Sequence, residues 1–364
     1  MEATHAHGNC RRVVLVAAAL SSSAAAQDQG VLTYHNDAAR SGHYVVPGLT
    51  WDKARALRLD SLFAPRVDGH LYAQPLLWRV ESNAMLITAS EDNVVQAFDG
   101  QTGNELWRRV VGTPVPRSSL PCGNISPLGI TGTPVIDPAS QGIYLNAAVL
   151  ESNGPRHKIF GLALKDGAVL PSFPVDVADA LRASGRSFTP PDQNQRAALT
   201  IVDGALYVAY SGHFGDCGDY RGWVIGVPLR DPNTIASWST RARGGGIWAP
   251  GGISAVGREM FFATGNTFGA STWSDGEGVF RVRPGLERSD NPRDFFAPSD
   301  WQALDDLDAD LSGTNPVPLD VSGGNGTQAL ILALGKNRKA FCSTATTSAA
   351  SRAASRCKPF PPGS

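Results

Sequence analysis

A recurring unit of short apolar strands, separated by turns and closed by an aromatic residue, constrains this chain more than any other feature. In its clearest copy residues 86–89 and 93–98 read as two strands, Asp99-Gly100-Gln101-Thr102-Gly103 as a turn, and residues 106–110, carrying Trp107, as a third strand. The unit returns at 132–137, 143–149 and 160–164, closing on Phe173, and again at 198–202, 206–210 and 223–227, closing on Trp238. A fourth copy spans 252–253, 260–264 and 279–282, and a fifth opens at Pro316-Val317 and breaks off after Leu332. Each repeat, of roughly 40–55 residues, has one apolar face that only a neighbouring copy can cover. The expected fold is therefore all-β: an incomplete β-propeller of four-stranded blades, about four blades and part of a fifth. A β-sandwich competes, but sandwiches lack a repeated strand–turn–Trp unit.

Composition narrows the function classes. With 32 Lys and Arg against 33 Asp and Glu, the net charge of -1 provides no basic field for nucleic acid or an anionic membrane. The 39 glycines and 25 prolines fit an ordered, turn-rich chain. Arg11 and Arg12 precede an apolar run over 13–20 and then Ala24-Ala25-Ala26, so residues 1–26 read as a signal peptide and the protein as secreted, periplasmic or extracellular. The run is too short for a transmembrane helix, and no later segment is long enough.

The other end breaks pattern. Residues 341–364 show neither strand alternation nor a helical stripe, although they follow a buried-strand pattern at 329–334. With GC-rich codons, a shifted reading frame from Phe341 allows an apolar strand, an acidic turn and a glycine-rich loop. Residues 341–364 are thus expected to be a disordered tail, the product of a frameshift, leaving the propeller at 27–340.

The segment Ala97-Phe98-Asp99-Gly100-Gln101-Thr102-Gly103-Asn104-Glu105-Leu106-Trp107 has the form A-x-D-x-x-T-G-x-x-x-W. It resembles the tryptophan-docking motif of the quinoprotein alcohol dehydrogenase-like, or pyrroloquinoline-quinone-repeat, β-propellers. In that motif Asp99 and Thr102 tie down the turn, Gly103 allows positive φ, and Trp107 wedges between blades, with Ala97 at its head. The resemblance covers most of the chain after Gln27, including residues 34–42 and 252–266.

The resemblance also implies a site. Trp248 resembles the tryptophan floor under the quinone, Asn266 the asparagine that binds both cofactor and Ca²⁺, and Asp310 the catalytic aspartate, which is also a metal ligand. Ordinary roles are equally open to them: Trp248 in blade packing, Asn266 in a turn. Several positions depart from the family. Cys122-Gly123 stands where vicinal cysteines are common, and Leu128 where an Arg would follow. No Glu matches in residues 70–74, and the third-blade metal ligand falls near Cys217-Gly218-Asp219, so Asp219 or Asp216 would have to substitute. No C-x-x-C-H haem site offers electrons an exit.

Other chemistry lacks its motifs: there is no G-x-S-x-G elbow, H-E-x-x-H helix or phosphate loop. Asp275-Gly276-Glu277-Gly278 suggests a sialidase Asp-box, but Trp273 replaces its hydroxyl residue. His213 near Asp216 is either a metal or acid–base pair or a solvated loop pair, the latter favoured. Of the five cysteines, Cys10 belongs to the signal and Cys342 and Cys357 to the tail. Cys122 and Cys217 remain, both in glycine-rich interblade loops, and should form a disulfide in an oxidising compartment. The leading expectation is a secreted quinoprotein-like propeller with a degenerate quinone site, a binding or scaffold module. Its unknown protein or small-molecule ligand would meet the loop faces at 118–127, 213–221 and 267–276. The rival is an oxidoreductase acting on alcohols or sugars with Ca²⁺ and pyrroloquinoline quinone.

Overall fold

The computed structural model describes residues 30–80, 83–323, 326–344 and 355–356. The expected signal peptide lies outside them, as does most of the expected tail. Among the described residues no helix is long and apolar enough to cross a membrane.

Five antiparallel sheets follow one another along the chain. The first contains β1 (Gly30–Val31), β2 (Leu76–Val80), β3 (Asn83–Ala89), β4 (Val94–Asp99) and β5 (Glu105–Val110). Between β1 and β2 runs an excursion with a single-turn helix α1 (Trp51–Arg55). The second contains β6 (Val135–Asp137), β7 (Gly142–Glu151), β8 (Gly154–Ala163) and β9 (Val175–Asp176), followed by α2 (Val177–Ala183). The third contains β10 (Gln193–Asn194), β11 (Thr200–Val202), β12 (Ala205–Gly212), β13 (Trp223–Pro228) and β14 (Ala236–Ser239). The fourth contains β15 (Ser254–Val256), β16 (Glu259–Ala263), β17 (Val279–Val282) and β18 (Phe295–Phe296), followed by α3 (Trp301–Asp306). The fifth contains β19 (Val317–Gly323), β20 (Gly326–Leu334), β21 (Ala340–Thr344) and β22 (Ser355–Arg356).

Each blade is a meander whose strands lie side by side in chain order, except that in blade three β10 and β11 both pair with β12. The leading strands β2, β6, β11, β15 and β19 are neighbours in that order, so they surround a common axis. This is the propeller arrangement, and the arc of five sheets is not closed. The apolar core lies between blades. Separate clusters join blade one to two, two to three, three to four and four to five. The open flanks carry uncovered apolar side chains, Leu106 and Val110 on blade one and Leu319, Val321 and Leu334 on blade five.

Two differences from the sequence reading concern the edges of blades. Blade one has β2 as its leading strand, which the repeat pattern did not single out. In blade five, the turn over Gly335 to Lys339 returns the chain onto β20, so Phe341 to Thr344 pair as strand although they were assigned to the tail. Pairing there follows from the turn and the free edge of β20, to which composition is indifferent.

Trp107 is buried against blade two, where its indole Nε1 donates to the Leu164 carbonyl at 2.8 Å. Its ring lies against Gly167, whose φ of 66° and lack of a Cβ make room for it. The preceding turn is held by Asp99, whose carboxylate accepts from the Gln101 and Thr102 amides and from the Thr102 hydroxyl. Those bonds lower the Asp99 pKa from its ordinary value.

The N-terminal segment occupies the axis. Leu32 and Ala38 offer carbonyls to the Ile136 and Ala255 amides on β6 and β15, at 2.8 and 2.7 Å. The buried Arg40 donates to the Gly251 and Leu199 carbonyls at 3.0 and 2.9 Å and to the Thr33 hydroxyl at 2.6 Å. The thread therefore satisfies the inner edges that leading strands would otherwise leave unpaired. Burial lowers the Arg40 pKa to about 10, and it remains a cation at neutral pH.

Candidate functional site

A four-stranded meander sends its second-to-third-strand turn and its link to the next blade to the same end. The turns at 90–93, 213–222, 264–278 and 335–339 therefore share one end of the arc with the links at 111–134, 240–253 and 297–316. Every residue that the sequence nominated for chemistry lies in one of these segments.

Trp248 and Asp310 meet there through a residue the sequence reading did not nominate. Asp310 is buried, its Oδ1 accepting the Asn266 amide at 2.9 Å and its Oδ2 paired with the Lys336 ammonium at 2.6 Å. Lys336 also reaches Asp308 at 3.1 Å and stands 5.1 Å from the centre of the Trp248 ring. Burial opposes its charge, but Asp310 and Asp308 outweigh that and raise its pKa above the ordinary lysine value. The Arg196 guanidinium lies 6.0 Å from the same ring. Asn266 joins through its backbone. Asp219 does not join: it is exposed, and its amide donates to Asp192 at 3.0 Å.

Glu277 lies behind this group, fully buried. One carboxyl oxygen accepts the Leu311 amide at 2.7 Å and the other has no hydrogen-bond partner among the described residues. Burial first, and then the Asp310 charge, push its pKa up to about 9, so it is neutral at pH 7. It fixes the backbone immediately after Asp310.

Cys122 and Cys217 form a disulfide between the link into blade two and the long turn of blade three. Cys217 thus falls in the stretch where the resemblance placed a carboxylate. His213 is buried rather than solvated, with a ring nitrogen 3.0 Å from the Pro191 carbonyl oxygen. Asp216 accepts instead from the Tyr220 hydroxyl at 2.6 Å.

This donor set does not fit Ca²⁺, which takes six to eight oxygens. Both Asp310 oxygens are engaged, one by an amide and one by an ammonium, and among the described residues no three His, Cys, Asp or Glu side chains are arranged to hold a metal. Nor does Trp248 offer a bare floor for a flat quinone, since two cations lie against its ring. The arrangement is a cation-rich aromatic platform beside buried carboxyl groups.

No protein-family model and no curated protein sequence matches the chain. Solved structures do. A europium-containing methanol dehydrogenase superposes with a TM-score of 0.63 at 15% identity, covering 87% of this chain and 56% of that one. The quinohemoprotein alcohol dehydrogenase from Comamonas testosteroni gives 0.60 at 15% identity over 88% and 48%. A quinohemoprotein alcohol dehydrogenase from Pseudomonas putida HK5 gives 0.63 at 11% identity over 86% and 46%. The chain spans about half the length of these structures. What is shared at such identity is architecture: the chain has the β-propeller fold of the quinoprotein alcohol dehydrogenases.

Proposed function

We propose that this chain belongs to a secreted, quinoprotein-like β-propeller that binds a ligand at its loop end and whose quinone site is degenerate. The observation that carries this reading is the Lys336–Asp310 ion pair, with no further carboxylate among the described residues completing a metal donor set. The Lys336 ammonium at 2.6 Å occupies the Asp310 oxygen that an incoming alcohol would have to reach. The Cys122–Cys217 disulfide fits a non-cytoplasmic compartment and braces two of the three loops assigned to recognition, 118–127 and 213–221.

One observation favours the rival, a Ca²⁺- and quinone-dependent oxidoreductase: the Asn266 backbone, Asp310 and Trp248 do lie together, joined through Lys336. The test is titration of the full chain with pyrroloquinoline quinone and Ca²⁺, followed by dye-linked oxidation of ethanol and glucose. We expect no Ca²⁺-dependent turnover. Turnover abolished by Asn266→Ala and by Asp310→Ala would establish the oxidoreductase instead.

A further inference from the structure

A cleft of about 90 Å³ opens between the outermost strands of blades three and four, and none of the Trp248 group lines it. Trp238 of β14 and Phe280 and Val282 of β17, all buried, give it an apolar floor. Trp273, from the 267–276 loop, lines another side and stacks on Phe295 with 5.2 Å between ring centres. Arg241 and Arg288 stand nearer to water, their side chains 54% and 34% exposed. Both lean on Asp275, which is 1% exposed. Asp275 Oδ2 accepts from Arg241 Nε and from Arg288 Nη1, each at 3.0 Å, so the two guanidinium groups meet on a single oxygen. The Arg241 amide donates to the same oxygen at 2.9 Å, and Arg241 Nη2 to Oδ1 at 2.9 Å.

One carboxylate neutralises one guanidinium, so this pair of cations holds a positive charge in excess. Arg241 Nη1 and Arg288 Nε–H also have no hydrogen-bond partner among the described residues. Arg281 and Asp294, which line the buried part of the cleft, neutralise one another at 2.6 Å. Asp290 is the remaining charge in the lining; it is exposed. The free donors are planar forks, which match a carboxylate better than any other common anion except phosphate. An inorganic anion would meet the guanidinium groups and leave the apolar floor wet, and a hydrocarbon would do the reverse. A carboxylate on a short carbon chain uses both surfaces. The cleft has the volume of roughly three waters, which limits that chain to a few carbons.

We propose that this cleft binds a short-chain carboxylate, its head on Arg241 and Arg288 and its carbon chain on Trp238, Phe280 and Val282. The proposal names a ligand class for the 267–276 loop, and so rests on the reading of that loop as a recognition surface. It gives the residues of the failed Asp-box a purpose: Trp273 is a wall, and Asp275 holds two cations side by side without spending both charges.

The experiment titrates the full chain, its disulfide intact and without quinone or Ca²⁺, by calorimetry and saturation-transfer NMR. The probes are butyrate, acetate, inorganic phosphate and 1-butanol. Butyrate should bind saturably and more tightly than acetate or phosphate, and 1-butanol should not saturate. Arg241→Gln and Arg288→Gln should each weaken butyrate roughly tenfold or more, with an unchanged near-ultraviolet circular dichroism spectrum showing that the aromatic floor persists. Asp290→Asn removes only an exposed opposing charge and should tighten butyrate about twofold. Arg258→Ala, which takes away an exposed cation paired with Asp203 outside the cleft, should leave binding unaltered. No saturable butyrate binding, 1-butanol, acetate or phosphate binding as tightly as butyrate, or affinity unchanged in both Arg variants overturns the proposal. If the Arg variants do not fold, the ranking of the probes and the Asp290→Asn protein decide it, and butyrate bound no tighter by that protein overturns it. A parallel dye-linked assay with Ca²⁺ and quinone separates the two readings. Absent butyrate binding without oxidation removes this cleft alone. Oxidation removes the non-enzymatic reading, while the quinone-free titration still decides the cleft.

Discussion

Glu91 and His157 are both buried, and burial moves their pKa values in opposite directions, to about 7 and to about 4. The folded protein holds the Glu91 proton between pH 4.5 and 7, where the unfolded chain has released it, so this group favours folding less as pH rises through that window. His157 stays neutral between pH 6.5 and 4, where the unfolded chain takes up a proton, so its contribution is lost as pH falls. From pH 6.5 to 4.5 the two oppose each other. Glu91→Gln removes the first and leaves the second. We predict that this variant loses more stability than the parent between pH 7 and pH 5, read as urea midpoints. Parallel profiles would mean that Glu91 titrates as an exposed carboxylate does. These groups also mark where residue-level reading stops. Trp248, Asn266 and Asp310 carry a recognisable order along the chain, whereas Glu91, Arg241, Arg288 and Lys336 are single charged residues in irregular segments. Their contacts come from which blade lies beside which, and no local pattern encodes that. Glu277 sat in view within a failed Asp-box, and only its burial reveals a role.

Docking between blades rests on aromatic side chains of outermost strands. Trp107 on β5 packs on blade two, and Trp238 on β14 packs against Phe262 and Phe280 of blade four. Trp107→Ala should cost about 3–5 kcal/mol, because the cavity opens between rigid sheets that cannot collapse onto it. Trp107→Phe keeps most of the ring and loses the bond to Leu164, at about 1 kcal/mol. Thermal or urea unfolding of the two variants checks the order; equal losses would show that the bond, not the packing, dominates. Middle strands such as β3, β4, β12 and β13 were legible because their apolar runs are long and bounded by glycine-rich turns. Strands of two residues, β9 and β18, bury too little to leave a signature, and α2 follows β9 without a break in composition. The turn at Gly335 to Lys339 shows the converse, a strong local signal that overrides a poor strand sequence beyond it.

The arc is held by its interblade cores, and a disulfide ties the link into blade two to the long turn of blade three. Cys122 and Cys217 are 95 residues apart, so the disulfide closes a long loop in the unfolded chain and restricts it heavily. Replacing both by serine should lower stability by about 3–5 kcal/mol, measured by urea unfolding against the oxidised parent. An unchanged midpoint would show that the two loops are held by packing alone. The repeat told how many blades to expect and how each is built. It was silent on the thread from Gly30 to Arg40, which has no repeat of its own and gains its structure only from the axis that the blades enclose.

That thread reverses the order in which the chain is made. Arg40 closes on Leu199 and Gly251, which follow it by 159 and 211 residues. A segment synthesised before the blades must therefore wait, unpaired, until the opening strands of the fourth blade exist. Its docking closes loops of 159 and 211 residues, the slow class of contact in folding. Residues made before any of the blades are among the last to find their place, and until then the inner edges of three blades stand open to any other strand that reaches them.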